Sequence, residues 1–511
     1  YYAEHVPEEG FRPHGTVVVA SPWNFPLSIP AGGVLAALAA GNAVILKPAP
    51  EAIAVAAEMA RALWAGGVPA PALQFLPCVD GDASRLLITH PGVDSVVLTG
   101  SWDTARMFLG WRPALRLHAE TSGKNAIVVT ATADLDEAIA DMVHSAFGHA
   151  GQKCSAASLA ILESPVHDDP RFLGRLADAV RSLRCGPAWD PTTTMGPLIR
   201  PPEGPLLEAL TTLSPGESWL VEPAPLDGHR HLWSPGVKIG VRPGSAFHLT
   251  ECFGPVLGIM RAADLDQAIA LQNQPAHGLT AGLHALDPAE IETWRDRVEA
   301  GNLYVNRGIT GAVVQRQPFG GWKRSVVGPG AKAGGPNYVA SLGELEAYRD
   351  AGEEEVPAAY ERACRAEWER VRAPVDPTGL AAESNAFRYR RLRKVLLCSG
   401  DGCGAGSVEC ALAAARAVGV AVEAVDEKSL RRRLAGTGRV DKVRFLGAVE
   451  DRTRLAAIDA GLWADDTPVA ADPRREVLRW AREQAVSESR HRHGNVTGRR
   501  PGLAGWPPAM R

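Results

Sequence analysis

The sequence of 511 residues lacks the features that mark membrane-spanning, disulfide-rich and strongly charged proteins. Its formal net charge is only −4, so no bulk field favours nucleic acid or an anionic membrane. No apolar run reaches the roughly 18 uncharged residues that span a bilayer. Eight cysteines scattered through so long a chain do not form a disulfide framework, and we therefore expect a reducing, cytoplasmic compartment.

What is present is the composition of a globular protein, 46% hydrophobic and 22% charged, with a length sufficient for two to four domains. The chain begins Tyr1-Tyr2-Ala3, without Met and without the pattern of a signal peptide. Strand-like sequence follows almost at once, from residue 15. We therefore expect the natural N-terminus to lie upstream of Tyr1.

Short apolar runs alternate with helical patterns through the first hundred residues, which predicts an α/β fold with a parallel, doubly wound sheet. A second α/β unit follows. Buried strands are predicted at 16–20, 43–47, 73–78, 94–99, 126–130, 159–162, 256–260 and 303–306. Helices are predicted near 30–40, 51–65, 83–89, 171–183 and 265–272, with a long helix reaching about residue 150. The stretch 200–245 is expected to form short strands and loops.

The composition changes at about residue 346. A charged, helical stretch is broken by Pro374-Val-Asp-Pro-Thr-Gly379, which is typical of a linker. A third unit follows, in which the runs 394–399 and 420–425 flank a predicted helix and resemble a βαβ unit. The expected domains are listed here in chain order: 1–121, 122–345, a linker 346–390, and a C-terminal unit 391–511.

Cys154 is the candidate nucleophile. Small residues surround it in Gly148-His-Ala-Gly-Gln-Lys-Cys-Ser-Ala156, so that a substrate can reach the thiol, and the neighbouring Lys153 would favour the thiolate. Taken alone, the same residue also fits a small buried side chain in a helix rich in glycine and alanine.

Two polar residues could assist such a nucleophile. Glu120 follows a strand-like stretch and precedes a glycine turn, where a carboxylate can act as a general base on water. Asn24 lies in the constrained loop Pro22-Trp-Asn-Phe-Pro26, and its amide can donate to a developing oxyanion. A solvated loop acid and a simple turn residue are the alternatives.

Three further residues stand where a cofactor would bind. Lys47 ends a buried strand, and the carboxyl ends of strands face the ligand crevice of an open α/β sheet. Ser101 stands at a predicted helix N-terminus, where backbone N–H groups favour phosphate. A snorkelling surface lysine and a plain N-cap are the alternatives. Glu251, in a loop before a strand, has the weakest independent case.

From about residue 10 to 345 the chain resembles the aldehyde dehydrogenase superfamily. Seven stretches match in order: Pro22-Trp-Asn-Phe-Pro26, Leu46-Lys-Pro-Ala49, Leu98-Thr-Gly-Ser101, Glu120-Thr-Ser-Gly-Lys-Asn125, Gly151-Gln-Lys-Cys-Ser155, Glu251-Cys-Phe-Gly-Pro255 and Gln317-Pro-Phe-Gly-Gly321. The resemblance implies a Rossmann-like NAD-binding domain, with its N-terminal part upstream of Tyr1, and an α/β catalytic domain. It also implies that Cys154 attacks the aldehyde, that Asn24 holds the oxyanion, and that Glu120 activates water against the thioester.

For the cofactor NAD, the resemblance implies that Lys47 binds the adenosine ribose and Ser101 the pyrophosphate. Glu251 and Phe253 would contact the nicotinamide ribose and ring. The family often has Glu three residues after the lysine, where this chain has Pro50 with Glu51 beside it. That departure weakens the case for NAD over NADP.

The residues around the nucleophile resemble the L-glutamate γ-semialdehyde (Δ1-pyrroline-5-carboxylate) dehydrogenase branch, in which proline is degraded. The resemblance extends to Thr310-Gly-Ala-Val-Val314 and Ala333-Gly-Gly-Pro-Asn-Tyr338. It implies that Ser155 and the backbone amides of Gly311 and Ala312 hold the substrate carboxylate. Phe25 and Phe319 could flank its aliphatic chain.

The tail from about residue 390 more loosely resembles the C-terminal Rossmann-like domain of bifunctional proline utilisation A proteins. That resemblance implies a proline dehydrogenase domain upstream, and we also expect a homo-oligomer. Gly400-Asp-Gly-Cys-Gly-Ala405, with Glu423 or Asp426, is a weaker candidate for a second dinucleotide site. No metal is predicted, because Cys398, Cys403 and Cys410 lack paired C-x-x-C spacing.

Two alternatives remain open at this point. The enzyme could oxidise another aldehyde, such as succinic semialdehyde, with NAD or NADP. The chain could also be a non-catalytic scaffold.

Overall fold

The computed structural model describes residues 1–6, 10–226, 228, 230–348, 358–435, 440–492 and 495–496. The strands are β1 (Arg12–Pro13), β2 (Thr16–Ala20), β3 (Ala43–Lys47), β4 (Leu73–Phe75), β5 (Ser95–Thr99), β6 (Arg116–Glu120), β7 (Asn125–Val129), β8 (Ala157–Glu163), β9 (Ser218–Val221), β10 (Gly236–Ile239), β11 (Val256–Ala262), β12 (His277–Gly278), β13 (Thr280–His284), β14 (Asn302–Val305), β15 (Trp322–Lys323), β16 (Val326–Val327), β17 (Gly343–Glu344), β18 (Glu383–Arg391), β19 (Lys394–Ser399), β20 (Ala421–Val425), β21 (Lys442–Leu446), β22 (Ala464–Asp465), β23 (Ala481–Ser489), β24 (His491–Arg492) and β25 (Asn495–Val496). The α-helices are α1 (Ser28–Ala39), α2 (Ile53–Ala65), α3 (Asp82–Thr89), α4 (Trp102–Trp111), α5 (Leu135–Phe147), α6 (Ser164–His167), α7 (Pro170–Arg181), α8 (Gly204–Thr211), α9 (Ala246–Leu249), α10 (Leu265–Asn273), α11 (Pro288–Arg297), α12 (Ala358–Val371), α13 (Ala405–Val418), α14 (Glu427–Leu434), α15 (Asp451–Asp459) and α16 (Pro473–Glu476). Short 3-10 helices cover Tyr2–His5, Pro50–Ala52, Gly148–Gly151, Ala340–Leu342 and Val477–Trp480.

The first sheet has six strands in the order β16-β6-β5-β2-β3-β4, and all except the edge strand β16 run parallel. Successive side chains of a strand point to opposite faces. In β2, Val17 and Val19 pack with α1 and α2, whereas Val18 and Ala20 pack with α3 and α4. A sheet covered by helices on both faces is a doubly wound α/β arrangement, so the predicted fold class is confirmed.

The order of the strands changes direction between β2 and β5. From β2 the chain continues through β3 to β4 on one side, and from β5 it continues to β6 on the other. Ligands of open α/β sheets bind outside the carboxyl ends of the strands at such a point. The fold therefore creates a crevice between the loops that follow β2, β5 and β6.

The second sheet has nine strands in the order β18-β23-β14-β13-β7-β8-β11-β10-β9. Its central seven strands are parallel, and only the edge strands β18 and β9 pair antiparallel with their neighbours in this sheet. Strand β7 is buried along its whole length, as is expected of a central strand covered on both faces. The Cys154 segment lies directly before β8, in the middle of this sheet.

Most predicted elements are present, and the differences have local causes. The strand predicted at 73–78 ends at Phe75, shortly before Pro77, which has no N–H to donate to a neighbouring strand. Helix α8 lies in the stretch expected to form loops, because it begins Gly204-Pro205 and buries a short set of side chains around Leu206. Strand β13 and helix α11 were not predicted either.

A third sheet of four parallel strands, in the order β20-β19-β21-β22, contains the expected βαβ unit. Gly400 of the glycine motif packs closely against the backbone of Ala448. A Cβ on Gly400 would stand 1.9 Å from the Ala448 carbonyl oxygen. The two acidic candidates are also engaged within the protein. Glu423 pairs with Lys394 and Arg433, and Asp426 caps α14.

The predicted linker 346–390 contains ordered structure where the structure describes it. Helix α12 buries Tyr360, Cys364 and Trp368 in the core that α13 shares. Strand β18 pairs along its length with β23, so that both extend the second sheet. Neighbouring residues of β18 enter different cores, Ala386 that of the second sheet and Phe387 that of the third. The division of the chain into units stays a prediction, with β18 and β23 as the elements that join them.

Among the described residues, no helix is both long and apolar enough to cross a bilayer.

A buried ion pair stabilises the core next to the third sheet. Both guanidinium Nη atoms of Arg444 donate to the carboxylate of Glu476, and both residues are 0% exposed. The same carboxylate accepts from the indole N–H of Trp480 at 3.0 Å and from the backbone N–H of Ala470 at 3.0 Å. The pair therefore connects β21 to the segment before β23.

Replacement of Arg444 by Met should destabilise this part of the protein by about 3–5 kcal/mol, because the buried Glu476 carboxylate loses both hydrogen bonds from Arg444 and keeps only a longer contact with Arg479, at 3.7 Å. Urea unfolding followed by tryptophan fluorescence measures the loss. The matched control is Arg452→Met, which removes an exposed partner of Glu450 and should leave the unfolding curve unchanged. Equal stability of the Arg444→Met variant and the parent would contradict this account of the pair.

Candidate active site

A cavity of about 340 Å³ lies at the crevice that the strand order creates. Its lining includes Ala20 at the end of β2, Ser21 directly after it, Thr99 at the end of β5 and Glu120 at the end of β6. Cys154, which directly precedes β8 of the second sheet, also lines this cavity. The structure thus brings the predicted base and the predicted nucleophile, 34 residues apart in sequence, into one cavity.

The Cys154 loop has an unusual backbone. After α5 ends, His149, Ala150 and Gly151 have φ values of 62°, 53° and 68°, all in the left-handed region. Residue 151 must be glycine for two reasons. Its φ lies in the left-handed region, and a Cβ would stand 2.4 Å from the Gly254 carbonyl oxygen. The reversal ends the long helix predicted to reach residue 150 at Phe147, and it turns the chain toward the cavity.

Asn125 fixes the nucleophile loop, a role that the sequence did not reveal. Its side-chain amide donates to the carbonyls of Cys154 at 2.7 Å and Ala156 at 3.0 Å. Its oxygen accepts from the backbone N–H of Thr280 at 3.0 Å. The available signal was a polar residue at the start of the otherwise apolar strand β7, in the motif that begins at Glu120.

The thiol of Cys154 donates to Oε1 of Glu120 over 3.7 Å. Burial raises the pKa of Cys154 well above its ordinary value, and the charges of Glu120 and Glu251 raise it further. The sequence led us to expect the opposite, a thiolate favoured by Lys153. In the structure the Lys153 ammonium lies near Gly148, and the effect of burial on the thiol is larger than that of this lysine.

Burial raises the pKa of Glu120 to about 7, against opposing effects of the Lys332 charge and the Cys154 hydrogen bond. Lys332 is 1% exposed, and its ammonium donates to Oδ1 of Asn302 at 2.9 Å and to the Gly320 carbonyl. Burial lowers its own pKa. Lys332 was not predicted, although a lone lysine in the glycine-rich stretch 328–335 was a visible signal.

Asn24 is buried and donates through Nδ2 to the carbonyl of Gln152 at 3.2 Å. This bond fixes its amide against the loop that carries Cys154, two residues further along. Because an amide nitrogen carries two N–H groups and this bond uses one, the arrangement suits a donor to an oxyanion at the thiol.

Two of the predicted cofactor residues lie at the ends of strands in the first sheet. Lys47, at the end of β3, is 7% exposed, and its ammonium meets the exposed carboxylate of Asp80 at 3.0 Å. Ser101 is exposed at the N-terminus of α4 and accepts from the N–H of Thr104 at 3.1 Å. Glu51, beside the family's usual acidic position, pairs with Arg200.

Glu251 and Phe253 lie on the loop before β11. Oε1 of Glu251 accepts from the Gly123 N–H at 2.8 Å, and burial raises the pKa of this acid to about 7. Phe253 has a left-handed φ of 58° and meets Trp23 edge-on, with ring centroids 5.8 Å apart. The loop therefore contacts both the Glu120 motif and the Asn24 motif.

The predicted substrate residues lie around the thiol with one exception. Phe25, Ser155, Ala312 and Phe319 line the cavity, and the Phe25 ring stacks on His149 at 5.4 Å. The exception is Gly311, which is not among the residues that line the cavity. Its carbonyl accepts a hydrogen bond from the hydroxyl of Tyr304. The described residues contain no group of three His, Cys, Asp or Glu side chains placed to hold a metal ion.

The family model of the aldehyde dehydrogenase family matches residues 5–346. The chain belongs to the aldehyde dehydrogenase family. This confirms the resemblance expected for residues 10–345. The matched span ends within the loop that follows β17, and the four-stranded third sheet lies beyond it.

The 1-pyrroline-5-carboxylate dehydrogenases of Geobacillus sp. (strain WCH70) and Bacillus subtilis (strain 168) are 37% and 35% identical over 338 and 334 residues, in each case 64% of this chain. The chain spans about two thirds of their length, 65% and 64% respectively. These names agree with the predicted branch of the family.

Among solved structures, Proline Utilization A (PutA) from Corynebacterium freiburgense is similar with a TM-score of 0.87 and 47% identity, over 97% of this chain and 52% of that one. A 1-pyrroline-5-carboxylate dehydrogenase from Thermus with bound NAD is similar with a TM-score of 0.61 and 33% identity, over 67% and 68%. The PutA similarity thus extends through nearly the whole chain, including the third sheet.

Replacement of Glu251 by Gln should make Cys154 more reactive toward iodoacetamide at pH 8.5. The Glu251 carboxylate is ionised there and disfavours the thiolate, and each pKa unit removed gives about tenfold more thiolate. At pH 6, below the Glu251 pKa of about 7, the variant and the parent should react alike. Peptide mass spectrometry measures labelling, with Cys185 as an internal control, and equal rates at pH 8.5 would contradict the assignment.

Proposed function

We propose that this protein oxidises L-glutamate γ-semialdehyde, the open-chain form of Δ1-pyrroline-5-carboxylate, to L-glutamate, with NAD as the electron acceptor. The observation that carries the proposal is the half-buried thiol of Cys154 donating to the Glu120 carboxylate within one cavity. The names of the similar proteins support the choice of substrate.

The first step forms a covalent bond between the enzyme and the substrate. Glu120 takes the proton of the Cys154 thiol, and the sulfur attacks the aldehyde carbon to give a thiohemiacetal. The Asn24 amide and the backbone N–H of Cys154 donate to the oxyanion that develops. These two donors take the place of the water that would otherwise solvate the oxyanion.

The residues at the strand ends fit NAD. The exposed N-terminal turn of α4 at Ser101 suits a pyrophosphate, and the Lys47 ammonium, paired with the exposed Asp80, would donate to a ribose. Glu251 and Phe253 would hold the nicotinamide end beside Cys154. When bound, NAD accepts the hydride that leaves the thiohemiacetal carbon.

The second step releases the product. Once the proton taken from Cys154 has passed to solvent, the Glu120 carboxylate takes a proton from water and the resulting hydroxide attacks the thioester carbon. The Cys154 sulfur leaves and takes up the proton that Glu120 then holds, which restores the thiol and the carboxylate. A carboxyl with a pKa of about 7 is well suited to accept protons at physiological pH. The same carboxylate thus serves both steps.

The substrate's other end would lie between Ser155 and the loop of residues 307–316, which we name the anchor loop. The Ser155 hydroxyl and the amides of Gly311 and Ala312 would bind the carboxylate. Phe25 and Phe319 would flank the aliphatic chain.

We further infer that the protein includes a proline dehydrogenase part that supplies the semialdehyde, which the PutA similarity supports. The expected homo-oligomer, the cytoplasmic location and the domain ranges 1–121, 122–345, 346–390 and 391–511 stay part of this proposal.

Steady-state kinetics with a panel of aldehydes tests the substrate. The parent should prefer L-glutamate γ-semialdehyde to succinic semialdehyde and to propanal, which has no carboxylate. Ser155→Ala should raise KM for glutamate semialdehyde at least about tenfold, because a hydrogen bond to a charged group is lost. It should leave propanal oxidation unchanged.

Comparable turnover of succinic semialdehyde and glutamate semialdehyde by the parent would point to a different substrate. NAD reduction that survives Cys154→Ala would rule out the thioester mechanism and leave the chain as a scaffold.

Thioester hydrolysis should rise with pH through a midpoint near 7, because Glu120 must be ionised to accept a proton. Lys332→Met should move this midpoint to higher pH, since the lysine charge lowers the pKa of Glu120. Single-turnover kinetics measure the midpoint. Lys428→Met, which removes an exposed lysine on α14, should leave it in place. A midpoint that Lys332→Met shifts downward would contradict the assignment.

A further inference from the structure

One buried carboxylate contacts both ends of the anchor loop. Glu383 is 7% exposed, and its Oε2 accepts from Nη1 of Arg307 while its Oε1 pairs with Nη2 of Arg316. The two arginines are the first and last residues of the loop. A single side chain therefore holds the two ends together.

The loop between these arginines forms part of the cavity wall. Thr310, Ala312, Val313 and Val314 all line the cavity that contains Cys154. Any change in the separation of the loop's ends is therefore transmitted to the surface that faces the substrate.

Two further contacts hold the anchor loop in place. The hydroxyl of Tyr304 donates to the carbonyl of Gly311. The amide of Gln317, with its oxygen toward Arg307, accepts from both Nη atoms at 3.1 and 3.2 Å. Arg307 thus lies between Glu383 and a residue that itself lines the cavity.

The carboxylate is held by the second sheet. Glu383 is the first residue of β18 and pairs with Ser489 of β23, which in turn runs parallel to β14. Strand β14 ends at Val305, directly before the anchor loop. The position of Glu383 is consequently fixed by strands, and the loop is fixed by Glu383.

We propose that Glu383 is a positioning residue that sets the preference of the enzyme for an aldehyde bearing a carboxylate. It acts by holding the anchor loop so that the amides of Gly311 and Ala312 are preorganised for that carboxylate. This inference rests on the proposed function. Among the described residues, Glu383 bonds to Arg307 and Arg316 and not to Cys154 or Glu120, so the effect should fall on substrate binding.

The isosteric variant Glu383→Gln tests this directly. KM for L-glutamate γ-semialdehyde should rise about tenfold while kcat stays within about twofold, the pattern of a lost binding interaction. KM for propanal should stay unchanged. The matched control is Arg390→Gln, which removes contacts from the same strand to Asp296, outside the loop, and should change neither aldehyde.

A double-mutant cycle and amide hydrogen exchange give independent readouts. Arg316→Gln should have the same effect as Glu383→Gln, and the double variant should be no worse than either, because both remove one clamp. Exchange in residues 307–316 should be faster in Glu383→Gln and unaltered in Arg390→Gln.

Equal KM increases for both aldehydes, no increase for either, or unchanged exchange in the loop would each overturn the inference. A parent enzyme that oxidises propanal but not glutamate semialdehyde would instead overturn the proposed function, and this inference with it.

Discussion

The hydrogen bond from the half-buried Cys154 thiol to the Glu120 carboxylate is the interaction on which the rest of the site depends. Loss of solvent disfavours the charged form of both groups, so that both pKa values rise together. A thiol that is not ionised at rest requires a base within reach, and a raised carboxyl pKa makes that base effective near neutral pH. This coupling works only while the loop is fixed, which Asn125 and the left-handed turn through Gly151 achieve.

Carboxylates on strands β18 and β23 hold segments next to the cavity from outside its lining. Glu383 on β18 holds the anchor loop, and Glu483 on β23 accepts from the backbone N–H of Lys332 at 2.7 Å and from Asn337 at 2.8 Å. Each buried carboxylate thus orders a segment next to the site. The second sheet therefore positions Cys154, and through β18 and β23 it also places residues distant in sequence next to the substrate cavity.

Much of the fold and the site could be predicted because the signals are local. The strand runs, the loops at their ends and the motifs of Cys154, Glu120 and Asn24 lie in short stretches with distinct chemistry. Strands β18 and β23 could not be predicted, because their burial depends on long-range bonds such as that between Arg388 and Gln484, at 2.8 Å. The pKa of Cys154 was expected in the wrong direction for the same reason, since desolvation by the surrounding fold is invisible in a sequence.

Trapping of the acyl-enzyme tests the central claim most directly. The Glu120→Gln variant, mixed with NAD and L-glutamate γ-semialdehyde and quenched, should accumulate a glutamyl adduct on the peptide containing Cys154, as measured by mass spectrometry. This variant lacks the base for both steps. Hydrolysis should be slowed more than attack and hydride transfer, because water is a weaker acid than the Cys154 thiol and depends more on a base. Absence of the adduct together with continued NADH formation, or an adduct on another residue, would contradict the account.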